Sequence, residues 1–219
     1  MSITIIIPTL KLDNNLEKLL EQLPGDVIIV NGGTDNPSFK INNIINCNPG
    51  RGIQLKTGGR FAKGDWFLFL HYDCILSEGW QNSLKKHIKN DSNKALVFKL
   101  RFDDVGFFPR LLEHWVHFRS IAFALPYGDQ GLFISRKLYE GIGGYNDMPL
   151  MEDVDIIRRV GRKRLKLSAI NITTSADKYI KYGYLVRMIR NGFCLILYKL
   201  GVNPSIIKKI YYFFRSIFC

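Results

Sequence analysis

The chain opens on a β-branched run, Ile3-Thr4-Ile5-Ile6-Ile7, and such a run without polar alternation marks a strand covered on both faces. Pro8 is expected to end it. Leu16, Leu19, Leu20 and Leu23 then recur at helical spacing behind Asp13-Asn14, a pair suited to a helix N-terminus. Val27 to Val30 repeats the buried-strand pattern and stops at Asn31-Gly32-Gly33. Gly50 to Ala62 is glycine-rich and basic and runs on as a helix, and Trp66 to Leu70 is a third apolar strand, ending in His71-Tyr72-Asp73. Strand, helix, strand with glycine-rich ends predicts βαβ units in a parallel α/β sheet. Ligands of such sheets bind beyond the carboxyl ends of the strands. Asn31, the Gly50 loop and His71-Tyr72-Asp73 all fall there.

Further along, the pattern predicts a strand over Ala95 to Leu100, an aromatic-rich helix over Pro109 to Phe123, and a short strand over Gly131 to Ser135. A helix over Met151 to Arg162 opens on acids, which suit its positive N-terminal dipole. Two more helices cover Tyr179 to Leu200 and Pro204 to Phe218, the second with Asn203 as cap and Pro204 in first position. With 219 residues, 47% of them hydrophobic, the chain has material for one sizeable domain and a small appendage. Its longest apolar run, Gly192 to Tyr198, is far below the ~20 residues that span a bilayer. No basic leader precedes the first strand, and Cys47, Cys74, Cys194 and Cys219 show no paired spacing. Free thiols in a reducing, cytoplasmic compartment are expected.

The net charge of +12 is unevenly placed: the first 157 residues carry 17 basic and 18 acidic side chains, the last 62 carry 14 basic and one acid, Asp177. A basic block on a near-neutral body points to an anionic partner. From Tyr179 to Cys219, Lys181, Arg187, Arg190, Lys199, Lys208, Lys209 and Arg215 interleave with Phe, Tyr, Ile and Leu. Helices of this kind either lie on an anionic membrane surface or cap the body with their charges solvated. The body carries no basic face or motif for nucleic acid, so no such partner is expected.

Several loops carry candidate chemistry. In Val30 to Asp35, the glycines permit backbone approach to a ligand while Asn31 and Asp35 bond a base or ribose; the same residues also make a simple turn. From Gly50 to Arg60 three cations lie among four glycines, each of which costs a helix about 1 kcal/mol against alanine. A diphosphate nearby would account for both features. His71-Tyr72-Asp73 fits either a strand end or a metal site, since Mg²⁺ takes one or two carboxylates plus substrate phosphates. Glu152, Asp153 and Asp155 crowd like charges that raise one another's pKa, as a helix start or as the source of a general base. Asp129 marks one more polar strand end. His114 and His117 share a helix face but lack a third ligand, so they read as packing, and His87, in a Lys-rich helix, as surface.

Taken in order, Ile5-Ile6-Ile7-Pro8-Thr9-Leu10, Val30-Asn31-Gly32-Gly33, Gly50-Arg51-Gly52 with Gln54, Ala62-Lys63-Gly64-Asp65, Leu70-His71-Tyr72-Asp73, Gly128-Asp129-Gln130-Gly131 and Met151-Glu152-Asp153 resemble family 2 glycosyltransferases of the GT-A fold. Most closely they resemble the small bacterial subgroup assigned to arsenosugar biosynthesis. The resemblance covers Ser2 to about Arg164. It implies an α/β, GT-A-like mixed sheet flanked by helices over residues 1–170, with 171–219 as a basic helical extension packed on it. It further implies a nucleotide-diphospho-sugar donor, a divalent cation (Mg²⁺ or Mn²⁺) and inverting transfer to an acceptor hydroxyl. Thr9, Asn31, Gly32, Arg51, Gln54, Lys56, His71, Asp129 and Gln130 would form the donor site. Asp73 would hold the metal, with His71 where the family has an acid. Asp153 would be the general base, with Glu152 beside it. The protein would work in the cytoplasm, peripheral to the inner membrane face through 179–219. Asn31 and Lys56 depart from the family's usual aspartate and asparagine, the turn after Asn31 is one residue short, and Pro8 to Leu12 lacks the acid that Asp13 would replace. These departures keep two alternatives open: a weak or inactive nucleotide-binding relative, and a membrane- or polyanion-binding module.

Overall fold

The computed structural model describes residues 1–35 and 43–217; Phe218 and Cys219 lie outside the described residues. In chain order β1 (Ile3–Thr9) leads to α1 (Asn14–Glu21), β2 (Asp26–Asn31), β3 (Ile44–Asn46), α2 (Arg51–Phe61) and β4 (Trp66–Phe69). β5 (Cys74–Leu76), α3 (Trp80–Asn90), β6 (Ala95–Phe102) and α4 (Phe107–Ala122) follow. A 3₁₀ turn at Gly128–Gln130 precedes β7 (Leu132–Ser135) and α5 (Arg136–Gly141). The chain continues through α6 (Glu152–Val160), β8 (Leu165–Thr174), α7 (Asp177–Tyr182), α8 (Tyr184–Lys199) and α9 (Pro204–Ile217).

Local chemistry explains most boundaries. Asp13 caps α1, its Oδ1 accepting from the Asn15 and Leu16 amides at 3.1 and 3.4 Å. Asn203 does the same for α9 through the Ser205 amide at 2.9 Å. The helix expected over Tyr179 to Leu200 is two helices, because Gly183 adopts φ +80° between α7 and α8. Pro8 does not end β1: the pairing with β4 stops at Ile6 and Phe69, so one side of β1 is open where the missing N–H falls.

The strands form one sheet in the order β3-β2-β1-β4-β7-β6-β8-β5. β1 runs parallel to β2 and β4, and β6 to β8, while β7 is antiparallel to β4 and β6, and β5 to β8. The sheet is therefore mixed, and the carboxyl ends of β1, β2, β4, β6 and β8 share one edge with the starts of β5 and β7. Along β1 the side chains alternate between two cores. Ile5 and Ile7 join Leu16, Leu84 and Leu112 beneath α1, α3 and α4; Ile6 joins Leu55, Tyr139 and Ile157 beneath α2, α5 and α6. His87 is not at the surface as its lysine neighbours suggest. It is 4% exposed, with its ring edge-on to Trp66 at 5.8 Å and Nε2 paired with the Lys94 carbonyl at 2.9 Å.

The glycines of α2 serve packing. A Cβ at Gly58 would overlap the Ile6 side chain and come within 3.0 Å of Val30; one at Gly59 would overlap the Tyr139 hydroxyl, and one at Gly52 the Met148 carbonyl. Gly58 lets α2 lie directly on β1 and β2, while Gly59 and Gly52 admit Tyr139 of α5 and the Met148 backbone. Gly192, inside α8, faces open space. The two therefore respond oppositely to alanine in urea denaturation: Gly58→Ala is expected to destabilise by about 1–3 kcal/mol through overpacking. Gly192→Ala is expected to stabilise by about 1 kcal/mol through helix propensity. Stabilisation by Gly58→Ala would show that α2 does not rest on β1.

Candidate active site

At the shared carboxyl edge lies a cavity of about 560 Å³, floored by the strand ends and the N-termini of α2 and α6 and roofed by α7, α8 and α9. Of the residues expected from the sequence, Arg51, His71, Asp73, Asp129, Glu152 and Asp153 line it. Thr9, Asn31, Gly32, Gln54, Lys56 and Gln130 do not.

Arg51 is the first residue of α2, and its Nε lies 3.2 Å from Glu152 Oε1. Its Nη2 meets His71 Nε2, and the other imidazole nitrogen, Nδ1, faces Asp73 Oδ1 at 3.6 Å. Glu152, Arg51, His71 and Asp73 thus form one chain across three segments. A guanidinium can only donate, so His71 Nε2 is the acceptor and the imidazole is neutral. Burial and the Arg51 charge lower the His71 pKa, against a smaller upward pull from Asp73. In this arrangement the one imidazole lone pair is engaged by Arg51 and is not offered to a cation. Burial disfavours the Arg51 charge, but Glu152, Asp153, Tyr145 and Asp129 outweigh it and raise its pKa.

Asp153 stands in the first turn of α6, behind Met151 at φ +69°. Its Oδ2 accepts from the Gly128 amide at 2.9 Å and its Oδ1 from the Val154 amide at 2.8 Å, leaving lone pairs on both oxygens. Gly128 has no room for a side chain, since a Cβ would overlap Arg51 and sit 3.4 Å from the Asp153 Cβ. The third acid of the cluster, Asp155, points away and is structural, bonding Asn146 at 2.8 Å and the Arg159 fork at 2.6 and 3.0 Å.

The six residues outside the cavity have their polar groups placed elsewhere. Gln54 Nε2 donates to the Thr9 and Val30 carbonyls at 2.6 and 2.8 Å, tying α2 to both strands. Asn31 closes its own turn with Gly33 and bonds Asn46 at 3.0 Å; Thr9 bonds the Lys11 carbonyl at 2.6 Å. Gly32 lies against Gln54 and Pro49, where a Cβ would come within 3.0 Å of both. Gln130 is fully buried between the Phe98 carbonyl and Ser120 at 3.0 Å each, and Lys56 is exposed on α2.

The roof holds residues that the sequence pattern does not mark as a site. Arg187 rests on the Tyr179 ring at 4.2 Å and Arg190 on Tyr211 at 3.9 Å, with Tyr127 and Asn191 nearby. The available signal is the i, i+3 spacing of two arginines and Asn191 opposite an apolar stripe on α8.

Asp73 and Asp129 both face the cavity and both act on His71, and Asp129 Oδ1 is buried without a hydrogen-bond partner. Among the described residues no group of three or more His, Cys, Asp or Glu could hold a metal ion. One or two carboxylates facing an open cavity fit a divalent cation whose shell a ligand's phosphates complete.

No family model matches the chain, and no curated protein matches it in sequence. Solved structures do. TarS of S. aureus, residues 1–349, superposes with a TM-score of 0.62 at 15% identity, covering 87% of this chain and 64% of that one. Glucosyl-3-phosphoglycerate synthase from Mycobacterium tuberculosis, solved with Mn²⁺ and UDP-glucose, gives 0.60 at 14%, covering 93% and 80%. GalNAc-T7, solved with UDP, GalNAc and Mn²⁺, gives 0.59 at 11%, covering 85% and 50%. The chain therefore spans less than two thirds of TarS and GalNAc-T7. At these identities the likeness establishes the fold, which is that of the GT-A glycosyltransferases.

Burial pushes Glu152 up from 4.5 to about 7, with Arg51 pulling it down and Asp153 adding to the rise. Between these values the folded chain keeps a proton that the unfolded chain releases, so stability falls as pH rises through the window. Urea denaturation from pH 5 to 7 is expected to show this slope in the wild type and not in Glu152→Gln. Parallel profiles would assign the slope to another group.

Proposed function

We propose that the chain is an inverting, family 2 glycosyltransferase of hexosyl type that moves a sugar from a nucleoside-diphosphate donor to an acceptor hydroxyl. The observation that carries this reading is Asp153, held by the Gly128 and Val154 amides with lone pairs to spare, in the cavity that Asp73, Asp129 and Arg51 also line. Asp153 takes the proton from the acceptor hydroxyl as its oxygen attacks the anomeric carbon. Attack opposite the leaving group inverts the configuration, through a transition state with oxocarbenium character. Arg51, fixed by Glu152 and His71, supplies positive charge beside the departing diphosphate. A divalent cation, held by Asp73 with Asp129, would neutralise the same developing charge when bound. The neighbours solved with UDP and Mn²⁺ support a uridine diphosphate donor. The strings Gly50-Arg51-Gly52 and Pro149-Leu150-Met151-Glu152-Asp153-Val154 support a place in the arsenosugar-biosynthesis subgroup, and the free thiols Cys47, Cys74 and Cys194 support the cytoplasm. We assign catalysis to 1–170 and the roof to the extension, although the sheet itself continues through Thr174.

UDP release from UDP-sugars with Mg²⁺ or Mn²⁺ tests the reading. Asp153→Asn is expected to lower kcat by about 10²–10⁴-fold with UDP affinity unchanged. A wild type that turns over no nucleotide sugar would leave the inactive nucleotide-binding alternative, and a variant as active as wild type would remove Asp153 as the base.

Exposed apolar side chains favour a second role for the same enzyme, docking to an anionic membrane surface. Phe107, Leu111, Trp115 and Phe118 line the outer face of α4, and Leu185, Ile189, Phe193 and Ile196 that of α8, which packs against it. The chain's basic excess lies in its last 62 residues, which include α8. No helix among the described residues is long and apolar enough to cross a membrane. The full chain is expected to float with phosphatidylglycerol-containing vesicles and less with phosphatidylcholine alone, and Ile189→Glu with Trp115→Glu is expected to abolish flotation. Equal flotation of wild type and double variant would exclude these faces.

A further inference from the structure

The cavity roof carries charge for which the proposed transfer provides no partner. Lys181, Arg187 and Arg190 line it from α7 and α8, and among the described residues none forms an ion pair with a carboxylate. Four acids of the cavity, Asp73, Asp129, Glu152 and Asp153, lie on the floor, at the sheet edge and the α6 N-terminus; the fifth, Asp177, opens α7 on the roof and forms no ion pair with these cations among the described residues.

Arg190 is only 4% exposed. It donates from Nη2 to the Tyr211 hydroxyl at 2.9 Å and to Asn191 Oδ1 at 3.4 Å, while its Nε is buried with no acceptor. Arg187, one turn earlier on the same face, also buries an Nε with no acceptor. Burying a guanidinium without a counter-charge is unfavourable, and Arg190 is buried in this way, with Arg187 half-buried beside it on the same wall. The Tyr179 and Tyr211 rings hold both planes in place, so the forks are set before a ligand arrives. One fork satisfies a carboxylate in bidentate fashion; two forks and an ammonium around one space suit a group with three anionic oxygens.

We propose that this roof is a phosphoryl subsite: Arg187 and Arg190, with Lys181, hold a phosphate group carried by the acceptor, whose hydroxyl then reaches Asp153. The inference rests on the glycosyl-transfer reading only in calling the phosphorylated molecule an acceptor. The donor diphosphate is matched on the floor by Arg51 and the Asp73–Asp129 pair, so the cavity has one phosphate-binding end for each substrate.

The test titrates the full chain with inorganic phosphate, followed by ³¹P NMR, with and without saturating UDP and Mg²⁺. Wild type is expected to bind phosphate in both conditions. Arg187→Gln is expected to weaken phosphate by about tenfold while UDP affinity stays within about threefold, and Arg187→Lys to restore part of the loss. Lys181→Gln, at an exposed side chain, is expected to weaken phosphate less and leave the fold untouched. Phosphate binding unchanged in Arg187→Gln overturns the subsite. So does competition between UDP and phosphate, or an equal loss of both in the variant, since the cations would then serve the donor. A wild type that binds phosphate through Arg187 but does not bind UDP upholds the subsite and removes the donor reading.

Discussion

The contact on which the carboxyl edge depends is the placement of the Arg51 guanidinium between Glu152 and His71. A cation at the first position of a helix opposes the positive end of the helix dipole, so Arg51 at the start of α2 is unfavourable by itself. Glu152 meets it from the first turn of α6, with a carboxyl oxygen 3.2 Å from Arg51 Nε. Neither group stands without the other: Glu152 alone would be a buried carboxylate in a helix that also presents Asp153, and Arg51 alone would face His71 and a protein wall. The pairing also sets the chemistry of the neighbours. Arg51 keeps His71 neutral and takes its lone pair, which leaves Asp73 and Asp129 as the groups on that side able to meet a cation.

Such a contact requires helices that approach closely, and the glycines provide the approach. Gly58 lets α2 touch Ile6, Gly52 lets its first turn pass under Met148, and Gly128 leaves the space that Arg51 and Asp153 share. Gln54 then locks α2 by donating to the Thr9 and Val30 carbonyls, at the carboxyl ends of β1 and β2. The same helix thus sets both the position of the strand ends and the position of the arginine.

These features divide what a sequence shows from what it withholds. The apolar runs of β1, β2 and β4 are buried on both faces, so their pattern is plain. β8 is half-exposed, with its buried positions Ser168, Ile172 and Thr174 scattered among polar and half-buried ones, and β3 and β5 are three residues each, so none stands out from loops. Residue type and strand-end position singled out Arg51, His71, Asp73, Asp129, Glu152 and Asp153, all of which meet in the cavity. The resemblance selected Thr9, Gln54 and Gln130, and Asn31 along with its turn, whose partners are backbone groups or side chains, for Gln54 45 and 24 residues away. Local pattern reports that a group is polar and near an edge; it does not report which distant group it meets. His87 fails for a related reason, since the lysines around it describe the outer face of α3 and not the inner one.

The basic tail shows the same ambiguity in its most consequential form. A single amphipathic pattern on α8 contains two different polar and apolar surfaces. Leu185, Ile189, Phe193 and Ile196 face outward, while Arg187, Arg190 and Cys194 face the cavity. The excess charge is therefore not all a solvated fringe: part of it closes a space whose opposite wall is acidic. Opposed walls of this kind do not neutralise each other at a distance, and each retains its field for a ligand. The floor suits a cation with a diphosphate and the roof suits an anion, so the extension completes the cavity even though it lies beyond the strands that define the fold. A seat for the outer face of α8 would then hold the arginines of its inner face over Asp153, coupling where the protein rests to how its cavity is closed.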